Sequence, residues 1–238
     1  MRKHKPRVRE RWQFIRERLR KEGVVAWVVW GTLGVACLFA LFTGRWSVAF
    51  VALATLGVTL APVFFVRFFK IELPVSFLAA IVLFVFGSIF LGEALDFYER
   101  LWWWDLFLHT FSAIGFGLVG FLFMFMLFEG SRYAAPPVAI AFFAYCFAVA
   151  IGTAWEIFEF AMDSLFGLNM LKSGLVDTFS DLIVDAVGAA IGALSGYFYL
   201  KGRPFGGLPG LIAQFVKTNR RLFKRHGEKR NRRSAPSP

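Results

Sequence analysis

Residues 138–163 read VAIAFFAYCFAVAIGTAWEIFEFAMD. From Val138 to Ala150 there is no charge at all, and then Glu156, Glu159 and Asp163 follow at helical spacing. The apolar part does not alternate, so it is not a strand, and its apolar residues are not confined to one stripe as in an amphipathic helix. Crossing a ~30 Å hydrocarbon core takes about 20 residues of helix, and backbone groups in lipid have to be satisfied within the segment. This stretch is therefore read as a membrane-spanning helix that carries acids at one end.

The rest of the chain repeats the pattern. Of 238 residues, 58% are hydrophobic, with 31 Phe and 8 Trp, which is more apolar and far more aromatic than a water-soluble domain. Six spans are expected, at Val24–Phe42, Trp46–Val66, Val75–Gly92, Leu106–Phe128, Val138–Phe160 and Asp181–Leu200. The fold class is all-α, a polytopic membrane helix bundle. Residues 1–22 form a basic arm in which Trp12, Ile15 and Leu19 share a helical face. Residues 23–200 form the six-helix domain. Residues 201–238 form a second basic tail, in which Leu208, Leu211, Ile212, Phe215 and Leu222 suggest a surface helix before a polar, disordered end.

The net charge of +11 raises nucleic acid as a partner, but the charges lie in the wrong places for it. Ten of the 27 Lys and Arg fall in residues 1–22 and eleven in residues 201–238. Basic tails that flank spans set topology and touch anionic lipid headgroups. With both termini cytoplasmic, 24 basic residues lie inside and only Arg45, Arg100 and Lys172 outside, so this is the expected orientation in an inner membrane. Cys37 and Cys146 fall within apolar runs and read as small core residues without a disulfide. The tryptophans of LWWWD, residues 101–105, suit an interfacial belt, and FLFMFMLF, residues 121–128, is expected to face lipid.

That topology gathers the acids. Asp105 and His109 start the fourth span, Glu156, Glu159 and Asp163 end the fifth, and Asp177, Asp181 and Asp185 open the sixth, all on the outer face. Positions three, four or seven apart share one side of a helix, so each group forms a stripe. The last stripe continues into Gly188, Gly192 and Gly196, a small-residue pattern that permits close helix approach, so it points into the bundle. Carboxylates packed so closely require either shared protons or a cation among them. Carboxylates with one imidazole suit a divalent metal, Mn, Zn, Fe or Mg. Asp105, His109, Glu159, Asp181 and Asp185 are the expected metal ligands, with Glu156 as the catalytic general base. Structural readings compete for the others: Asp177 with Ser180 as helix caps, Glu93, Asp96 and Glu99 as a solvated loop, and Asp163 at headgroup level.

WWWDLFLHTFSAIGFG, GTAWEIFEFAMD and DTFSDLIVDAVGAAIGALSGY resemble the three signature blocks of the bacterial YjdF-type (DUF2238-like) inner-membrane proteins, a family without an established activity. The matching positions are Asp105, His109, Glu156, Glu159, Asp163, Asp177, Asp181, Asp185 and Gly188, and the likeness covers roughly residues 70–200. A looser likeness to VanZ-like membrane proteins breaks down at Glu156-x-x-Glu159-Phe160. The resemblance implies a site and no particular reaction. Three functions compete. The first is a metal-dependent hydrolase or transferase acting on a lipid-linked substrate. The second is a cation- or proton-coupled carrier, against which stand the absence of an inverted repeat and the crowding of acids on one face. The third is a structural or assembly protein.

Overall fold

The computed structural model describes residues 23–128, 135–172, 174–202 and 206–224, as helices joined by short turns with no strand among them. The amphipathic arm expected around Trp12, Ile15 and Leu19 and the polar end beyond Lys224 lie outside these residues. Among the described residues, six helices are long and apolar enough to cross a membrane. The chain is a multi-pass membrane protein that divides into two compact units after Arg100.

In the first unit, α1 (Val24–Phe42), α2 (Trp46–Phe69) and α3 (Val75–Val85) surround a core of Ala26, Val29, Leu33, Ala52, Leu78, Val82 and Phe90. The helix α3 runs directly into a π-helical segment, π1 (Phe86–Ala94), and together they make one 20-residue span. A short helix α4 (Phe97–Arg100) closes the unit. Glu93, Asp96 and Glu99 are exposed here, as expected of solvated acids, but Glu93 lies in π1 and Glu99 in α4 and only Asp96 in the connection, where it pairs with Arg100 at 3.5 Å.

The second unit is built on α5 (Trp104–Phe128), α6 (Pro137–Phe166) and α7 (Leu175–Leu200), followed by α8 (Leu208–Thr218) and α9 (Arg220–Lys224). Pro137 occupies the first turn of α6, where its missing N–H leaves no intrahelical bond unmade. Lipid supplies no hydrophobic force between helices, so they associate where small residues let backbones touch. A Cβ at Gly192 would stand 2.6 Å from the Ile114 carbonyl oxygen and 2.9 Å from Gly117 Cα, and one at Gly188 would stand 2.5 Å from the Thr110 carbonyl oxygen. The glycine stripe of α7 thus forms a seam against α5. Gly120, one turn beyond Gly117, faces Phe147 of α6 instead.

Three sequence expectations change. The sixth span begins at Leu175 and the fifth ends at Phe166, each six residues beyond the bounds set by hydropathy. Carboxylates lower the hydropathy, but they do not interrupt a helix whose acid-bearing face is turned inward. FLFMFMLF is not mere lipid-facing filler: Phe121 is completely buried against Gly196 and stacks on Phe125 at 5.8 Å. Phe125 in turn meets Phe223 of α9 at 5.5 Å, so the apolar side of the tail helices covers protein. Cys146 is exposed on α6 and is not a core residue.

Candidate acid–histidine site

The acids of the second unit meet at one end of the bundle, about 30 Å along α5 from the Phe125–Phe223 contact. Asp105 lies in the first turn of α5, with His109 one turn deeper. Their partners are Glu156 on α6 and Asp181 and Asp185 on α7. His109, Glu156, Asp181 and Asp185 are all buried, with Asp181 only 1% and Glu156 only 5% exposed.

The imidazole of His109 is the hub. Its Nδ1 faces Asp185 Oδ2 at 3.4 Å, and its Nε2 faces Glu156 Oε1 at 3.8 Å and Asp105 Oδ1 at 3.9 Å. A carboxylate on one ring nitrogen fixes the ring's orientation and directs the other nitrogen toward whatever lies beyond it. Beyond Nε2 lie Glu156 and Asp105, and one donor atom from each of His109, Glu156 and Asp181 falls within 4.8 Å of the others. Among the described residues neither carboxylate oxygen of Glu156 has a hydrogen-bond partner within 3.5 Å, and the Thr178 side chain is a polar neighbour that interacts with it. Leaving a buried polar group unmatched costs on the order of 1–3 kcal/mol, and more for a charge.

This arrangement fits a divalent cation. A tetrahedral ion with bonds of about 2.1 Å separates its ligand atoms by about 3.4 Å, so the 3.8 Å from Nε2 to Glu156 needs only a small contraction. A second group of donors, Asp105, Asp177 and Asp181, lies within the same 4.8 Å and shares Asp181 with the first. Asp177 is thus both in the first turn of α7, where a carboxylate suits the helix dipole, and within reach of the cluster.

Two acids behave differently. Glu159 is half-buried one turn beyond Glu156, and its Oε1 accepts a hydrogen bond from the Trp155 indole at 2.9 Å. It belongs to neither donor group. Asp163 accepts hydrogen bonds from the backbone N–H groups of Met170 at 2.7 Å and Leu171 at 3.0 Å, holding the connection between α6 and α7. Asp163→Ala removes both acceptors and is expected to cost about 1–3 kcal/mol, read as a lower melting temperature in detergent without loss of cation binding.

One positional residue escapes the sequence reading. A Cβ at Gly152 would collide with the Asp185 carboxylate, so this glycine makes the room in which Asp185 reaches His109. The signal is its place one turn before Glu156, on the same face. Gly117 escapes likewise, two i+4 steps after His109.

Residues 25–202 match the family described as "predicted membrane protein (DUF2238)". The match begins in the first span, well before residue 70, so the likeness extends further toward the N-terminus than the signature blocks. An uncharacterized protein of Thermotoga maritima is 31% identical over 121 residues, covering 51% of this chain and 62% of the relative. The matched part therefore spans less than two thirds of that relative's length. No solved structure matches the chain. The chain belongs to the DUF2238 family of predicted membrane proteins.

Proposed function

We propose that this membrane protein is a divalent-cation-dependent hydrolase or transferase acting on a lipid-linked substrate from the outer leaflet. The observation that carries the reading is Glu156: a buried carboxylate with no hydrogen-bond partner, facing an oriented imidazole and a buried aspartate. His109, Glu156 and Asp181 would hold the cation, with Asp185 on Nδ1 as a positioning residue that fixes the His109 ring. A bound divalent ion would polarise a phosphoryl or carbonyl oxygen or activate water. Glu156 and Glu159 exchange the roles expected from sequence. The half-buried Glu159, outside both donor groups, is the proton carrier at the rim, with the Trp155 indole fixing its orientation.

The outer-leaflet placement rests on the basic tails and the positive-inside rule, with both termini cytoplasmic in an inner membrane. Exposed aromatic side chains Trp155 and Phe158 flank the site on α6 and suit a substrate that enters sideways from lipid. Elemental analysis of detergent-purified protein tests the reading. Wild type is expected to retain Mn, Zn, Fe or Mg, and Asp181→Asn to retain none while eluting as the same species in gel filtration. A wild-type protein that binds no divalent ion overturns it. Acid-dependent cation flux in proteoliposomes without turnover of any lipid substrate would replace the enzyme with a carrier.

A further inference from the structure

The two donor groups have one member in common. His109, Glu156 and Asp181 form one and Asp105, Asp177 and Asp181 the other, each with its donor atoms within 4.8 Å. We propose that the site binds two divalent cations, with the Asp181 carboxylate bridging them. This rests on the cation-dependent reading above and adds the number of ions and the division of ligands between them.

Acidic residues crowd many protein surfaces without holding an ion, so the grouping alone would carry little. Burial gives it weight. Asp181 is 1% exposed, yet it belongs both to a group with the His109 imidazole and the Glu156 carboxylate and to a group with Asp105 and Asp177. Glu156, only 5% exposed and with neither oxygen in a hydrogen bond within 3.5 Å among the described residues, faces the same cluster. A buried carboxylate so poorly matched by the protein is suited to a ligand, and the acids around it favour a cation.

Charge favours a pair over a single ion. Asp105, Glu156, Asp177, Asp181 and Asp185 bring five carboxylates to these donor groups and to the His109 ring. With all five ionised, one dication balances two of the negative charges and two dications balance four. Uncompensated charge among buried carboxylates is costly, so a second ion brings a gain wherever protons do not already supply it. A carboxylate has two oxygens and can serve an ion with each, which is how paired metal sites about 3.5–4 Å apart are commonly bridged. The two positions also differ in depth. The first group is wholly buried, whereas Asp105 and Asp177 are partly exposed. The outer ion is therefore expected to exchange first.

The test uses full-length protein in detergent or lipid nanodiscs, loaded with Mn²⁺ and freed of excess by gel filtration. Elemental analysis gives the stoichiometry, and electron paramagnetic resonance separates coupled from isolated ions. Wild type is expected to retain two equivalents per chain with an exchange-coupled signal. Asp177→Asn should keep one equivalent with an isolated-ion signal, and Asp181→Asn none. Asp105→Asn provides the same answer if Asp177→Asn does not fold. One equivalent in wild type, uncoupled and unchanged by both outer substitutions, overturns the pair and leaves the single-cation reading standing. No retained Mn²⁺ in wild type overturns both.

Discussion

Gly192→Val is expected to pull α5 from α7, so that the protein loses its single gel-filtration peak and melts far below wild type. A valine needs a Cβ, and at this position the Cβ would meet the Ile114 carbonyl oxygen at 2.6 Å and Gly117 Cα at 2.9 Å. Both obstacles are backbone atoms, which cannot swing aside as the end of a long side chain can. The helices must therefore separate along the seam. Overpacking a tight contact usually costs about 1–3 kcal/mol and sometimes more. In lipid the separated surfaces recover little, because the lost contacts are van der Waals packing that acyl chains only partly replace. Gly115→Val, on the facing helix α5, is the control. Nothing lies within 4 Å of a Cβ there, so it should behave as wild type. Equal behaviour of the two variants would refute the seam as the main fastening of the unit.

The second large effect concerns Glu156→Gln, whose consequence should reverse with the presence of metal. With Mn²⁺ at a hundred times its dissociation constant, binding stabilises wild type by about 2.7 kcal/mol. The glutamine variant lacks one donor group and is expected to bind more than about 100-fold more weakly, since even substitutions behind a metal ligand cost 10–100-fold. Its melting temperature should then hardly respond to Mn²⁺. In chelator the order changes. Glu156 brings a carboxylate into a space that already holds Asp105, Asp181 and Asp185 around His109. The amide removes that charge and can donate to a neighbouring carboxylate, so the variant should melt at or above wild type. A purely structural Glu156 predicts the opposite, a variant that is less stable in chelator and in metal alike. Thermal scans of both proteins under both conditions decide between the two.

Hydropathy located all six spans, because twenty apolar residues in a row have few other uses. It misplaced the ends of the fifth and sixth by one to two turns, since Glu159, Asp163, Asp177 and Asp181 lower the average while the backbone continues as helix. The i, i+4 stripes of acids were legible, and so was the inward face of α7, marked by Gly188, Gly192 and Gly196. Roles within the site were not legible. Glu156 and Glu159 are equivalent in a one-dimensional pattern, and only their neighbours separate them: Glu156 faces His109, whereas Glu159 is held by Trp155. Gly152 is marked only by its place one turn before Glu156, and what it or Gly117 makes room for is not legible until the helix each faces is known. The π-helical segment Phe86–Ala94 was equally silent, because a wider turn leaves composition unchanged.

The seam between α5 and α7 has a consequence for which ion is accepted. His109 lies at the head of the α5 side of that contact and Asp185 at the head of the α7 side, one turn before Gly188. Backbones already touching cannot come closer, and the same contacts resist their moving apart, so the gap between the two rows of donors has a nearly fixed width. Calcium takes six to eight oxygens at 2.3–2.6 Å and favours flexible ligands. A gap set by backbone contact suits a smaller ion with bonds of about 2.1 Å, and discriminates by radius where affinity alone would not. The glycines, which carry no chemistry of their own, would then act as the calliper of the site.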